Sequence, residues 1–327
     1  MDGIKIYVDA WDPSYGAGLD LAENGGGPTV ETSAQLRTDI ELEPGAWRPL
    51  APAADARSPD LVLLVDGVRR IDARIWVEEP DGTLHPGLAA SYAAGVVRCD
   101  LRRGSAEVAG ARVARGFFTP SPDAADITAA NARYTVHRVA GTEPEQVVQT
   151  QLRQLEMDVS ALARATTETL PDPTEDDLLV LDGPLFDRAR LPRTLGFVKT
   201  HRIQYLPPAL TLVVGRLAPG QRTPIFQLGG QRPRYTWYLK LPGPAGSPWA
   251  GVVRLEVSAD LPRVEAIRLA DVSTVTLPRF ASSPYKDARA PQNLTPIAGL
   301  ERRLRGMLGD QRLLVRSLSA VAHRRAA

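Results

Sequence analysis

Two apolar runs in this chain end in the same dipeptide: LVLLVDG at Asp66-Gly67 and LLVLDG at Asp182-Gly183. An aspartate at the end of a buried strand is delivered to the sheet's carboxyl edge. The glycine after it turns the chain without a side chain that would block the approach. Two such carboxylates on neighbouring strands are hard oxygen donors of the kind that hold Mg2+ or Mn2+ during phosphodiester hydrolysis. Asp-Gly also builds ordinary turns, so each pair carries little by itself and the repetition is what singles them out.

A two-metal hydrolase usually needs a third carboxylate, and Glu156 is the candidate. Val148, Leu152, Leu155, Val159 and Leu162 recur at steps of three and four, which predicts an amphipathic helix. At about 100° per residue, Glu156 falls about 80° from the centre of that stripe, at its edge. A Glu there can point into a cleft beside the core. Periodicity alone favours the plainer role of a solvated Glu paired with Arg153 or Arg164. Asp158 lies on the opposite edge.

The elements that must position these groups follow from pattern. Leu61–Val65 predicts a central strand covered on both faces. Beyond Gly67, Ile71, Ala73, Ile75 and Val77 alternate with Asp72, Arg74 and Trp76, as in a half-exposed strand. Leu88–Arg102, Ala106–Phe118 and Tyr134–Val139 predict further strands, with Gly82 and Gly104 at turns. Thr142 and Glu145 have capping-box spacing with Pro144 in the first turn, so the helix starts there. Pro171-Asp172-Pro173 ends it before the strand Asp177–Asp182.

Strands are then expected at Thr194–Lys199, Thr211–Leu217, Arg234–Leu241 and Ala250–Val257, and helices around Leu261–Leu269 and Ile297–Leu308. Residues 1–57, rich in Gly, Pro and acids with a strand at Lys5–Asp9, read as a partly irregular extension. Residues 58–327 read as one α/β domain, with no internal repeat and no evident boundary between independently folding parts. An antiparallel group, a helix and a further buried strand is the order of an RNase H-like core, a mixed sheet flanked by helices, here with additional β-rich segments. The same pattern allows other α/β arrangements.

Composition narrows the chemistry. One cysteine, Cys99, excludes an internal disulfide framework and a cysteine zinc site. No apolar stretch reaches the roughly 20 residues of a membrane helix, and the start lacks a signal-peptide pattern, so a cytoplasmic protein is expected. The net charge of +1 hides an acidic start, with eleven Asp/Glu against four Lys/Arg in residues 1–60. Residues 188–240 hold ten Lys/Arg and no acid, and the tail from Arg302 adds seven Arg against one Asp. Such stretches suit phosphate backbones, or else solvate a surface or pair with the acidic start.

The blocks in order resemble the NurA family, nucleases that work with the HerA ATPase in DNA end processing. VDGVRRIDARI (65–75) is similar to the family's first Asp-Gly motif, and LRQLEMDVSAL (152–162) stands where the family carries its metal-binding Glu. VLDGPLFDR (180–188) is similar to the second Asp-Gly motif. It is followed by LGFVKTHRIQYL (195–206), which looks like the family's Gly-x-x-Lys-Thr strand. PYKDARAPQNLTPIAGLERRLRGMLGD (284–310) resembles the C-terminal block of bacterial members.

The resemblance implies an RNase H-like fold, a ring-shaped homodimer, DNA as substrate and a hexameric HerA-type motor as partner. It implies that Asp66, Glu156 and Asp182 bind Mn2+ or Mg2+ and that Lys199 neutralises charge on the scissile phosphate, in place of a plain surface role. Arg69, Arg70, Arg202, Arg216 and Arg234 are the candidates for the DNA backbone. Archaeal relatives carry a His in the C-terminal block. The four histidines here (His85, His137, His201, His323) lie elsewhere, and Asp287 or Asn293 is left to fill that position.

Other chemistry is poorly served. There is no P-loop for ATP, no Gly-x-Ser-x-Gly elbow, and no His beside Cys99 in sequence. A two-carboxylate glycosidase fits badly with Asp-Gly strand ends and a basic surface. RPRYTWYLKL (232–241) interleaves cations with aromatics that could stack on unpaired bases or simply fill the core. A non-catalytic scaffold that clamps DNA or a motor remains the alternative to a nuclease.

Overall fold

The computed structural model describes residues 36–139, 143–168, 176–185, 191–201, 203–243 and 247–326. The expected strand at Lys5–Asp9, the capping Thr142, the Pro171-Asp172-Pro173 stop and Arg202 lie outside them. In chain order the elements are β1 (Leu36–Arg37), β2 (Leu61–Glu78), β3 (Leu84–Asp100), β4 (Ser105–Thr119), β5 (Ile127–Ala129), β6 (Ala132–Arg138), α1 (Pro144–Glu168), β7 (Asp177–Asp182) and β8 (Thr194–Val198). Then follow α2 (Pro208–Gly215), β9 (Phe226–Leu228), β10 (Arg234–Lys240), β11 (Val252–Ser258), α3 (Arg263–Thr276), α4 (Thr295–Met307) and α5 (Gln311–Ala326). The protein is mixed α/β. Among the described residues, no helix is long and apolar enough to cross a membrane.

The chain forms two compact units, each built from separate stretches of sequence. In the first (36–64, 99–106 and 176–298) the strand order is β1-β9-β10-β11-β8-β7, with the first residues of β2 next to β7. β11 runs antiparallel to β8 and β10, while β7 and β8 are parallel. Helices cover both faces. On β10, Trp237 donates its indole N–H to Ser273 of α3, and its neighbour Tyr238 packs with Leu210, Val213 and Val214 of α2. Adjacent strand residues point to opposite sides, so α3 and α2 lie on opposite faces. β7 reads as an unbroken apolar run because it is buried throughout, Leu178–Leu181 being 0–1% exposed.

Residues 36–50 belong to this unit: Leu36 and Arg37 pair with β9, Leu50 bridges Arg222, and Ile40 and Trp47 are buried. The segment Thr211–Leu217, expected as a strand, is instead the helix α2 and its end. Pro208 sits in its first turn with φ preset for helix. Leu210, Val213, Val214 and Leu217 then turn one face into the core cluster, which overrides the β preference of the two valines.

The second unit (65–98, 107–168 and 299–326) carries the order β2-β3-β4-β6-β5. α4 sets Leu300 and Leu304 against Gly95 of β3, where a Cβ would come within 3.0 Å of Leu300. α5, unanticipated in the arginine-rich tail, buries Leu314, Leu318 and Val321 at steps of four and three. Leu318 and Val321 join Ala89, Phe117 and Tyr134 in one cluster. Each such burial contributes about 1.5–3 kcal/mol. Asp72, expected on the solvent side of its strand, is buried. It accepts hydrogen bonds from Ser91 Oγ (2.5 Å), Tyr134 OH (3.0 Å) and Arg70 Nε (2.8 Å). Its alternating neighbours Arg74 and Trp76 are exposed as expected.

Candidate functional site

In the first unit the sheet brings Asp182 and Lys199 together. Parallel pairing sets Asp182, the last residue of β7, beside Phe197 of β8. Parallel strands finish at the same edge, so Lys199, just past the end of β8, emerges next to Asp182. Its Nζ donates to Asp182 Oδ2 (2.5 Å) and to Asn293 Oδ1 (2.8 Å), and the side chain is buried. Asn293 in turn donates from Nδ2 to Asp287 Oδ2 (2.5 Å). An amide held by an ammonium on one side and a carboxylate on the other has only one sensible orientation. Arg289 completes the chain by pairing with Asp287 (3.2 Å).

Lys199 therefore spends two of its three N–H bonds, and Asp182 Oδ1 has no partner among the described residues. Gly183 and Gly196 make this edge possible. Gly183 adopts φ 107°, a conformation that glycine tolerates and other residues resist. A Cβ at Gly196 would lie 2.7 Å from the Leu185 backbone nitrogen, so the chain after β7 folds flat over β8. That same N–H donates to Glu256 Oε2 (3.1 Å). Burial alone would raise the Glu256 carboxyl. The guanidiniums of Arg254 and Arg234 outweigh it and, with this N–H, hold the group below its ordinary value.

In the second unit, Glu156 comes within one residue of Asp66. A Cβ at Gly67 would lie 2.5 Å from Glu156 Oε1 and 2.8 Å from Leu152 Cδ1. The Glu156 carboxylate thus occupies the space that any other side chain at 67 would fill. Asp66 accepts the Gly67 N–H at Oδ1 (2.8 Å). The helix face differs from the expected stripe. Val148, Leu152, Glu156, Val159, Ser160, Ala163 and Thr167 are buried, while Leu155 is half-buried and Leu162 is 47% exposed. Glu156 sits inside the buried face, not at its edge, at 5% exposure. A helix that turns a leucine outward and a glutamate inward has been shaped by more than apolar burial.

Among the described residues, the basic stretch resolves into protein ion pairs more often than into free surface. Arg222 is buried and bidentate to Glu41 (2.7 and 2.8 Å), with Asp271 at 2.8 Å. This is pairing with the acidic start. Arg234 holds Glu256 (2.8 Å), Arg193 holds Asp177 (2.6 Å), and Arg70 binds Asp72 and the carbonyls of Leu308 and Gly309. Arg216 is exposed at the end of α2, and Arg69 is half-buried. Trp237 and Tyr238 of the aromatic–cationic segment are core residues. His201 lies under Trp249 and Tyr238 with Nε2 2.8 Å from the Val252 carbonyl. Desolvation brings its pKa down to about 4. Cys99 is buried and its thiol is pushed up to about 11 by desolvation, which leaves it a poor nucleophile.

The sequence reading did not single out Arg289 as the residue bracing Asp287. The short Asp-x-Arg spacing was the available signal. Among the described residues, no group of three or more His, Cys, Asp or Glu is arranged to hold a metal ion. The donor chemistry of Asp66 and Glu156 still suits a hard divalent cation, because Mg2+ is held by one or two carboxylates, with water and substrate oxygens filling the rest. No protein-family model and no curated protein matches the chain.

Proposed function

We propose that the protein is a divalent-metal-dependent deoxyribonuclease of the NurA kind, with an RNase H-like core. In this reading it processes DNA ends in the cytoplasm as a homodimer with a HerA-type hexameric ATPase. The observation that carries the reading is Lys199, a buried ammonium braced at a sheet edge by Asp182 and Asn293 with one donor to spare. A lysine so held is a fixed positive charge that needs no reorganisation when negative charge develops beside it. The order of the motifs around it supports the same reading.

Asp182 and Asn293 orient the ammonium, and Asp287 with Arg289 fixes the Asn293 amide. The third N–H of Lys199 is directed to a non-bridging oxygen of the scissile phosphate. Asp66 and Glu156 are the carboxylate donors for Mn2+ or Mg2+ in the second unit. When bound, the ion would supply an activated water and charge neutralisation at the leaving oxygen. Gly67 keeps the space that Glu156 uses.

A non-catalytic DNA- or motor-binding scaffold is the second reading. It is favoured by the lack of a three-carboxylate metal group among the described residues. The test is incubation of end-labelled single- and double-stranded DNA with the purified protein in Mn2+, Mg2+ or EDTA. Metal-dependent cleavage supports the nuclease. Metal-independent binding without cleavage, alone and with the motor present, supports the scaffold.

A further inference from the structure

The segment joining α3 to α4 is a braced loop. Ala281 bridges Leu294, and the Ser283 carbonyl accepts the N–H groups of Lys286 (2.9 Å) and Asp287 (3.1 Å). Asp287 is clamped by Arg289 and by the Asn293 amide, the same amide that holds Lys199. From this loop Tyr285 projects with 83% of its surface exposed. Tyr92, Tyr134, Tyr205 and Tyr238 are all buried. An aromatic ring kept in water forgoes the gain of burial, so its place on a braced loop calls for a use.

The surroundings of the ring fit one. Ser283 and Lys286 beside the phenol draw it below its ordinary pKa. Lys286 Nζ stands 5.5 Å from the ring centroid. The ammonium lies over one face of the ring, and with 83% of the residue exposed the other face stays in water. An open aromatic face with a cation beside it is the arrangement that takes up an unpaired base and its phosphate.

We propose that Tyr285 is a stacking platform for an unpaired base of single-stranded DNA, with Lys286 contacting the adjoining phosphate. This rests on the nuclease reading and adds a substrate preference to it. Bases within a duplex have both faces stacked on their neighbours and cannot present one to Tyr285, so the platform favours single strands. It touches none of the carboxylates, and its loss leaves the Lys199 contacts in place.

The test is fluorescence anisotropy in EDTA with an oligo-dT strand and with a long blunt-ended duplex without loops or overhangs, while cleavage in Mn2+ is measured separately. Tyr285→Ala is expected to weaken binding of the single strand by about tenfold or more. Tyr285→Phe keeps near wild-type affinity, and duplex binding is unchanged in both variants. Single-strand affinity unaltered in Tyr285→Ala, while the wild type cleaves DNA, overturns the platform and leaves the nuclease standing. Equal losses on both substrates overturn it as well. A wild type that binds neither DNA and cleaves neither overturns both readings together.

Discussion

Lys199 Nζ stands 2.5 Å from Asp182 Oδ2, and the contact follows from two parallel strands ending at one edge. Asn293 reaches the same ammonium from a loop 94 residues further along the chain. The three groups form one hydrogen-bonded unit, so replacing any one of them disturbs the others.

Replacing the lysine separates catalysis from folding. Lys199→Met removes the ammonium but fills most of its volume, leaving Asp182 and the Asn293 carbonyl without their donor. A fixed cation aimed at developing charge contributes on the order of 10²–10³ in rate, and the variant is expected to lose cleavage by about that factor. Stability is expected to fall by about 1–3 kcal/mol, from the two acceptors left unmatched. Single-turnover cleavage and urea melts measure the two effects. A variant that cleaves at the wild-type rate would remove Lys199 from the mechanism.

Gly67 gives a way to move Glu156 without removing its charge. The Cβ of Gly67→Ala would lie 2.5 Å from Glu156 Oε1 and 2.8 Å from Leu152 Cδ1, both flexible side-chain ends. The substitution is expected to cost about 1–3 kcal/mol of stability, as overpacking does. Metal-dependent cleavage should drop well beyond what that loss explains. Activity equal to wild type in a folded Gly67→Ala protein would show that Glu156 is not needed where it sits.

How far this was legible in the sequence differs by element. The strands β2, β7 and β8 announce themselves as apolar runs, but only Asp182-Gly183 marks a strand end; the turn expected at Asp66-Gly67 is absent, because β2 continues through it as one strand to Glu78. α2 was misread because Leu212-Val213-Val214 looks like strand, although Pro207-Pro208 and the 210, 213, 214, 217 spacing were helical signals. α5 hid among arginines for a similar reason, its apolar face being only one residue wide per turn. Glu156 was placed at a stripe edge because Leu155 and Leu162 were counted as core. Which leucine turns outward depends on what α1 packs against, and periodicity does not contain that. The partners of Lys199 could be nominated from the C-terminal block, but only the tertiary fold selects Asn293 for the ammonium and Asp287 for the amide.

Arg222 is a buried cation of the first unit, with Glu41 and Asp271 on it. Arg222→Met leaves two carboxylates facing each other without their counter-charge. It is expected to lower stability by about 3–5 kcal/mol, the usual result of breaking a buried pair from one side. Guanidinium unfolding would show this as a lower midpoint at unchanged slope. A shift below about 1 kcal/mol would mean that the triad is solvated and adds little.

His201 makes stability depend on pH in a defined window. Desolvation holds its folded pKa at about 4, below the ordinary 6.5. The unfolded chain therefore binds a proton that the folded chain refuses. The stabilisation is present above pH about 6.5 and is lost as pH falls towards 4. His201→Phe keeps an aromatic ring against Trp249 and Tyr238, and Gln292 still donates to the Val252 carbonyl (3.2 Å). Its stability is expected to vary less than that of wild type between pH 6.5 and 4. Parallel curves for the two proteins would place His201 in contact with water.

The central claim is that Asp66 and Asp182 are each needed for metal-dependent DNA cleavage, and one assay meets it directly. End-labelled DNA is incubated with wild type, Asp66→Asn, Asp182→Asn and a control, Glu265→Gln, at a surface pair with Arg268. Each is run in Mn2+, Mg2+ and EDTA. The account predicts cleavage by wild type and control in metal only, and none by either aspartate variant. Cleavage that survives in both variants at the wild-type rate, or that proceeds equally in EDTA, would contradict it.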